Sequence, residues 1–288
     1  MARPHFTTKK IGIIAGAGEL PIALANEARA QGYSVFAVAL EPLAERGISE
    51  YVDGIAWVNV GKFGKLIDAL KKHGVREAVM AGKVSKTLLY KSRITPDLKA
   101  MKLLFSLKDR KDDSILLAIT EELDREGIRL LDITRFSSSL LAAEGVYTER
   151  RPTDAEWKDI GFGWRIAKEI GRLDIGQTVV VKNLAVMAVE AIEGTDEAIL
   201  RGGGLAKEGA VVIKVSKPEQ DMRFDVPAVG LQTLNAMKVV GAKVLAVETD
   251  KCLILNKTSL IEKANSAKIS VLGYSDQGFS TGTSLTRR

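Results

Sequence analysis

The sequence contains very little histidine and cysteine: His5, His73 and Cys252 are the full supply in 288 residues. Zinc sites are usually built from several such side chains, so this composition argues against them. A nucleophilic triad would have to use His73, which lies in a Lys-Lys-His-Gly stretch typical of an exposed helix end. A disulfide within the chain is excluded, which is compatible with a reducing cytoplasm.

Aromatic residues and long apolar runs are also scarce. Aromatics make up only 6% of the chain, which argues against a base-stacking surface, and we expect no nucleic-acid partner. No apolar run approaches the ~20 residues that a membrane-spanning helix needs. Residues 1–10 lack the apolar core of a signal peptide.

Short apolar runs alternate with helical segments, which predicts an α/β fold. The length suggests two domains. We expect an N-terminal Rossmann-like domain with a parallel sheet and a C-terminal domain with a mixed α/β arrangement. Turn-forming residues indicate the linker between the two domains, and a polar stretch without periodicity indicates a flexible tail. The predicted boundaries are 1–133 for the first domain, 134–155 for the linker, 156–274 for the second domain and 275–288 for the tail.

Three apolar runs of the N-terminal half end in glycine. In an open parallel sheet the ligand crevice lies at the carboxyl ends of the strands, and glycine there allows backbone to approach a ligand. Tight turns alone also require glycine, so both explanations stay open. The candidate binding residues in these turns are Gly16, Ala17, Gly18, Glu19, Gly61, Gly82 and Lys83.

The first of these turns is a partial dinucleotide fingerprint. Gly16 and Gly18 match it, and Glu41 closes the next strand where an acid would bind a ribose, but Pro21 replaces the third glycine. A nicotinamide-dependent sugar-nucleotide oxidoreductase is therefore an alternative function. A glycine turn before a helix also suits phosphate of any kind.

Positive charge is concentrated in residues 83–111. This segment has nine lysines and arginines and two acids, a net charge of +7, whereas the whole chain carries +6. A solvated face explains such a segment, and so does a surface for phosphate, nucleic acid or anionic lipid. A non-enzymatic lipid- or nucleotide-binding protein is thus a further alternative. Asp112 and Asp113 follow directly, as helix caps or as a metal or hydrogen-bonding site.

Polar residues of the C-terminal half form a second group of candidates. Acids and a hydroxyl surround Gly194, and charged residues crowd before Pro227. If the later segment is extended, Asp221, Arg223 and Asp225 share one face. Two carboxylates beside an arginine suit Mg²⁺ and phosphate, although compensating charges on a surface strand are the alternative. The candidates here are Thr195, Asp196, Lys214, Gln220, Asp221, Arg223 and Asp225.

An ordered set of motifs resembles a known family. The sequence is similar to the UDP-2,3-diacylglucosamine pyrophosphatases of lipid A biosynthesis, the type unrelated to metallophosphoesterases. The likeness runs through residues 10–274 and rests on Ile13-Ile14-Ala15-Gly16-Ala17-Gly18-Glu19-Leu20-Pro21, Gly61-Lys62-Phe63-Gly64-Lys65, Ala81-Gly82-Lys83-Val84, Lys111-Asp112-Asp113, Ile170-Gly171-Arg172-Leu173-Asp174-Ile175-Gly176-Gln177, Glu190-Ala191-Ile192-Glu193-Gly194-Thr195-Asp196 and Lys217-Pro218-Glu219-Gln220-Asp221-Met222-Arg223-Phe224-Asp225-Val226-Pro227.

The resemblance implies a Mg²⁺-dependent hydrolase that converts UDP-2,3-diacylglucosamine into UMP and 2,3-diacylglucosamine 1-phosphate. It implies that Asp225 is the essential aspartate, as a metal ligand or as the group that orients water, with Asp221 as a second metal ligand. It also implies a lipid product held between two domains, and attack of water at the sugar-side phosphorus.

The partners implied are a nucleotide glycolipid and, peripherally, the cytoplasmic face of the inner membrane, with a homodimer left open. On this interpretation residues 83–111 are a docking surface for an anionic glycolipid. Apolar residues in and near that segment are candidates for a groove that holds the acyl chains: Leu88, Leu89, Tyr90, Leu98, Met101, Leu104 and Phe105.

Overall fold

The structure, a computed structural model, describes residues 9–84, 95–107, 112–218, 220–223 and 226–276. The chain forms two compact units. Unit 1 comprises residues 1–138 with the short segment 221–225, and unit 2 comprises residues 139–220 and 226–288. Within the described ranges, none of the helices is both long and apolar enough to cross a membrane.

Unit 1 is built on a five-stranded parallel sheet in the order β3-β2-β1-β4-β5. This order matches the first five strands of the Rossmann order 3-2-1-4-5-6, with added helices. The strands are β1 (Lys10–Ala15), β2 (Ser34–Glu41), β3 (Gly54–Asn59), β4 (Glu77–Ala81) and β5 (Arg129–Leu130). The helices are α1 (Leu20–Ala30), α2 (Phe63–Lys72), α3 (Leu98–Ser106), α4 (Asp112–Arg125) and the short α5 (Thr134–Ser137), with a 3-10 turn at Arg46–Glu50.

The central strands of unit 1 are apolar on both faces because helices cover both sides of the sheet. In β1 every residue from Ile11 to Ala15 is buried. Helix α2 places Phe63, Leu66, Ile67 and Leu70 on its inner face at helical spacing. Gly12 of β1 admits this helix closely, since a Cβ there would lie 3.0 Å from Cδ2 of Leu70.

Unit 2 contains a six-stranded mixed sheet in the order β6-β13-β11-β9-β7-β8 and a two-stranded parallel pair, β10-β12. The strands are β6 (Gly145–Val146), β7 (Thr178–Lys182), β8 (Ala185–Val189), β9 (Val211–Lys214), β10 (Ala228–Val229), β11 (Val244–Glu248), β12 (Leu253–Ile254) and β13 (Ser270–Tyr274). Its helices are α6 (Asp154–Arg172), α7 (Thr195–Ala206), α8 (Leu231–Val239) and α9 (Lys257–Ser266), and a 3-10 turn covers Ser138–Leu140.

Helix α6 shows how sequence chemistry begins and positions an element of unit 2. The Thr153 hydroxyl accepts from the Glu156 backbone N–H, and the Glu156 carboxylate accepts from the Thr153 N–H, which forms a capping box. Gly163 then allows close packing on the sheet, because a Cβ there would lie 2.5 Å from Cδ1 of Ile213.

The predicted α/β class, with a parallel N-terminal sheet and a mixed C-terminal sheet, is confirmed. The predicted linker 134–155 contains ordered elements: α5, and β6, which pairs antiparallel with β13. The segment 221–225, which lies far along the sequence, belongs to unit 1. Residues 277–288 of the predicted tail, and residues 85–94 and 108–111 of the basic segment, lie outside the described residues.

Candidate functional sites

The glycine turns of unit 1 meet where the strand order reverses. Strand β1 lies between β2 and β4, so the turns after β1 and β4 stand at the position where open α/β sheets bind ligands. Gly16 donates its N–H to the Ala81 carbonyl at 2.7 Å. The backbones of Ala17 and Lys83 exchange two hydrogen bonds of 2.9 Å. The sequence candidates Gly16, Ala17, Gly82 and Lys83 are therefore brought together.

Two of these glycines are required by the contact between the turns themselves. A Cβ on Gly16 would lie 2.7 Å from the Lys83 carbonyl oxygen. A Cβ on Gly82, whose φ is +88°, would lie 2.6 Å from the Ala17 carbonyl oxygen. Gly18 differs, because its φ of +94° needs glycine but nothing lies within 4 Å of a Cβ there. Of the three, Gly18 presents the most open backbone surface, next to Glu19 at the start of α1.

The third glycine turn follows β3 and is organised by an aspartate outside the sequence candidates. Gly61 donates its N–H to Oδ1 of Asn59 at 3.2 Å. The Asp97 carboxylate accepts from the Gly64 N–H at 2.8 Å and from the Ala100 N–H at 2.9 Å. A single carboxylate thus satisfies amides in the first turns of both α2 and α3. The order Thr95-Pro96-Asp97 signals the helix start, but the bond to Gly64 depends on the fold.

The dinucleotide alternative loses part of its support at the second strand. Glu41 ends β2 as expected, and its carboxylate accepts from the Arg46 guanidinium at 3.0 Å. Arg46 also lies over the Trp57 ring, 4.2 Å from the ring centroid. Glu41 is therefore already paired, and Pro21 is buried at the beginning of α1.

A charged cluster lies beyond the carboxyl end of β5 in unit 1. The Met222 carbonyl accepts from the Ile133 N–H at 3.2 Å, which fixes segment 221–223 beside this strand end. Arg223 donates from Nε and Nη2 to Asp221 at 3.0 and 2.6 Å. This pairing raises the pKa of Arg223, to which Asp132 also contributes, and lowers the pKa of Asp221. Residues 222–223 form a turn, so the condition under which Asp221, Arg223 and Asp225 would share one face of an extended segment is not met at these two positions.

The metal ligands predicted from the sequence can be followed only in part. Within the ranges given above, no group of three histidine, cysteine, aspartate or glutamate side chains could hold an ion. Both carboxylate oxygens of Asp221 accept from Arg223, so this predicted metal ligand is already bound to a guanidinium. Asp225 and the side chains of Asp112 and Asp113 lie outside the described residues, although Asp112 is the first residue of α4.

Unit 2 brings Thr195 and Lys214 together in a buried polar array. Lys214 ends β9 with only 6% exposure, and its Nζ donates to the Thr195 hydroxyl at 2.5 Å. The Thr195 hydroxyl donates to Oε1 of Glu190 at 2.9 Å. Burial alone would raise the pKa of Glu190, but Lys214 and hydrogen bonds from Thr195 and the Gln177 backbone lower it. Lys214 is thus a buried, paired cation.

The backbone around this array is held closely. Gly176 must be glycine, since a Cβ would lie 2.2 Å from the Glu190 carbonyl oxygen. Gly194 has φ of +88° and starts α7, so Thr195 and Asp196 occupy its first turn. Asp196 accepts from the Thr233 hydroxyl at 3.1 Å. Gln220 accepts from the Lys217 N–H at 3.3 Å and so closes a local turn.

A second buried array in unit 2 was missed by sequence reasoning. Glu248 ends β11 with 7% exposure and accepts from Lys168 Nζ at 2.7 and 2.8 Å. It also accepts from the Ser216 N–H at 2.7 Å. The sequence signal that could have revealed it is a glutamate at the end of an apolar strand, because ligands bind at the carboxyl ends of parallel strands. Cys252 lies nearby, donates to the Lys214 carbonyl at 3.5 Å and is fully buried, which raises its pKa to about 12.

Comparisons with known proteins agree along most of the chain. Residues 10–140 match the family model described as the LpxI N-terminal domain, and residues 143–272 match the LpxI C-terminal domain. The UDP-2,3-diacylglucosamine pyrophosphatase LpxI of Caulobacter vibrioides is 31% identical over 280 residues, which cover 93% of this chain and 99% of that protein.

Similarity to solved structures is weak. Phosphoribosylglycinamide synthetase from Anaerococcus prevotii is 12% identical over 66% of this chain and 42% of that chain, with a TM-score of 0.26. N5-carboxyaminoimidazole ribonucleotide synthetase from Thermotoga maritima is 15% identical over 66% of this chain and 43% of that chain, with a TM-score of 0.22. Neither likeness informs the fold or the function.

Proposed function

The chain belongs to the LpxI family, and from this premise we propose that it is a hydrolase of lipid A biosynthesis that cleaves the pyrophosphate bond of UDP-2,3-diacylglucosamine. The observation that carries this proposal is the match to a relative of that name along 99% of its length. The products are UMP and 2,3-diacylglucosamine 1-phosphate. Water attacks the sugar-side phosphorus, the bond from this phosphorus to the bridging oxygen breaks, and that oxygen leaves with UMP.

Unit 1 supports binding of the anionic end of such a substrate. The turns after β1 and β4 lie at the switch point of a parallel sheet, and the open backbone at Gly18 leads into the positive N-terminus of α1. We assign substrate contacts to the turns at Gly18 and Gly61. Gly16 and Gly82 allow the turns after β1 and β4 to pack together.

In unit 2 we assign the polar start of α7 to the substrate. Thr195 and Asp196 lie in the first turn, where a helix favours negative ligand groups. Lys214 is nearly fully buried and donates to Thr195, so its proposed role is to orient that hydroxyl and supply positive charge behind it. Arg223 in unit 1 is the more exposed cation, and Asp221 holds its guanidinium in place.

Asp225 is the proposed catalytic residue, and its replacement is the decisive experiment. Asp225→Ala should lower UMP release at least ~100-fold, the usual effect of losing a catalytic acid–base group. The matched control is Asp124→Ala, which removes an exposed aspartate of α4 and should leave the rate unchanged. Product masses after reaction in ¹⁸O-water should show the label in the lipid phosphate. Normal turnover by a folded Asp225→Ala protein, or label in UMP, would contradict the proposal.

We also propose that the reaction depends on Mg²⁺. The substrate diphosphate can itself provide oxygen ligands, so the protein needs to supply only one or two carboxylates. The described residues supply no three-ligand group, and Asp221 is paired with Arg223. EDTA should stop UMP release and added Mg²⁺ should restore it, whereas full activity in EDTA would refute the dependence.

We also make proposals for the cellular location and the oligomeric state of the protein. We expect it to act in the cytoplasm at the inner-membrane face, where a diacyl nucleotide lipid resides. A homodimer is tested by light scattering of the purified protein, with the monomer mass of 31.2 kDa as the reference.

A further inference from the structure

Helix α3 of unit 1 carries apolar side chains on two opposite faces. Ala100 and Leu103 pack against the unit 1 core. Leu98, Met101 and Phe105, at spacing i, i+3 and i+7, lie on the other side of the helix. Leu98 is 77% exposed and Phe105 is 83% exposed, and no residue of α3 is buried. A surface helix normally directs polar residues outward, so this face is unusual.

The outward face is held rigidly against unit 1. Asp97 caps α3 and also binds the Gly64 N–H of α2. Lys99 bonds to Glu126 and lies 3.3 Å from Glu122, and these contacts raise the pKa of Lys99. The apolar face is therefore a fixed feature of the surface. The acyl-chain groove expected from the sequence also includes Leu88, Leu89 and Tyr90, which lie outside the described residues, so it stays a prediction.

The sequence on both sides of α3 carries a net positive charge. Lys102 is exposed and lies next to Leu98 and Phe105 on the helix. Lys99 is neutralised by its two glutamates, so it contributes little to an external partner. In the sequence, α3 is flanked on both sides by basic residues: Lys86, Lys91, Arg93, Lys108, Arg110 and Lys111. Exposed Leu and Phe beside lysines are typical of helices that lie in the interface of anionic membranes.

We propose that α3 docks the protein on an anionic lipid bilayer, with Leu98, Met101 and Phe105 in the boundary between headgroups and acyl chains. This inference rests on the proposed function, because a diacyl substrate is presented by a membrane. A second copy of the chain fits this face less well, since two such faces would bring their positive charges together. Basic residues would contact lipid phosphates, which makes docking dependent on salt.

The test measures binding of the full chain to vesicles by co-sedimentation. Vesicles of phosphatidylglycerol and phosphatidylethanolamine should bind the protein, and phosphatidylcholine vesicles should bind it much less. The double variant Leu98→Ser/Phe105→Ser should lower the partition coefficient about ten-fold or more, and Lys102→Glu should lower it several-fold. The matched control, Ile192→Ser/Val239→Ser, removes two equally exposed apolar residues of unit 2 and should bind as wild type.

Each contrary result overturns the proposal. Docking through α3 would be excluded if the wild type does not bind anionic vesicles. It would also be excluded if the α3 variant and the control lose vesicle binding to the same extent. A variant that binds vesicles normally but changes the oligomeric state in light scattering would identify the face as a protein interface. The vesicles contain no substrate, so this result is independent of hydrolysis. Failure of the hydrolase proposal would appear only in the assay of UMP release.

Discussion

Replacing Lys214 by methionine tests whether this residue is a buried structural cation. Methionine approximates the length and volume of the side chain but removes its charge and its hydrogen bond. In the wild type the ammonium donates to Thr195, whose hydroxyl donates to Glu190. The variant would leave the Glu190 carboxylate desolvated, without the positive charge that lowers its pKa and reaches it through the Thr195 hydroxyl.

The expected cost follows from the burial of the two partners. Removing one member of a buried ion pair typically lowers the free energy of unfolding by 3–5 kcal/mol. Lys214 is nearly fully buried but Glu190 is only half-buried, so we expect about 3 kcal/mol, the lower end of that range. Glu190→Gln in the same background should recover part of this loss, because the uncompensated charge is then absent.

The pH dependence of this effect has a defined sign. Glu190 has a lowered pKa in the folded protein, against its usual value of 4.5. Its contribution to stability is therefore present above about pH 4.5 and is lost as the pH falls through the folded-state pKa. Without Lys214 the pKa of Glu190 rises relative to wild type. The difference in unfolding free energy between wild type and Lys214→Met should therefore shrink on acidification.

Urea unfolding followed by tryptophan fluorescence provides the assay. A Trp57→Phe background leaves Trp157 and Trp164, which both lie in unit 2. Lys238→Met, at an exposed lysine of α8, is the control and should change the free energy by less than ~0.5 kcal/mol. The reasoning is refuted if Lys214→Met costs less than ~1 kcal/mol, or if its cost is unchanged in the Glu190→Gln protein.

Two further predictions concern other positions. Asp97→Ala removes the acceptor of two helix-start N–H groups and should lower the free energy of unfolding in urea by about 1–2 kcal/mol. Asp97→Asn keeps one acceptor oxygen and can retain only one of the two hydrogen bonds, so it should lose an intermediate amount of stability. An alanine variant as stable as wild type would contradict the dual role. Cys252 has a pKa of about 12, so at pH 8 only about one thiol in 10,000 is ionised. Ellman's reagent should therefore label it only after denaturation, and rapid labelling of the native protein would show that this thiol is accessible.

The sequence alone was sufficient to predict the fold class. Apolar runs such as Ile11–Ala15 are local patterns, and a run that is buried on both faces indicates a parallel strand wherever it occurs. Each glycine turn directly follows an apolar run, so it lies at the end of the predicted strand. Composition alone disfavoured histidine-based chemistry. The motif order agrees with the family that the comparisons support.

Which residues pair with which was decided only by the tertiary structure. The sequence alone suggests that Lys214 is a free cation. In the structure, the packing of β9 against the start of α7 buries this lysine beside Thr195. Glu248 meets Lys168 across 80 residues, a separation that carries no periodic signal. Segment 221–225 joins unit 1, and α3 turns a second apolar face outward. Hydrophobic periodicity specifies elements locally, whereas burial and ion pairing depend on how distant elements pack.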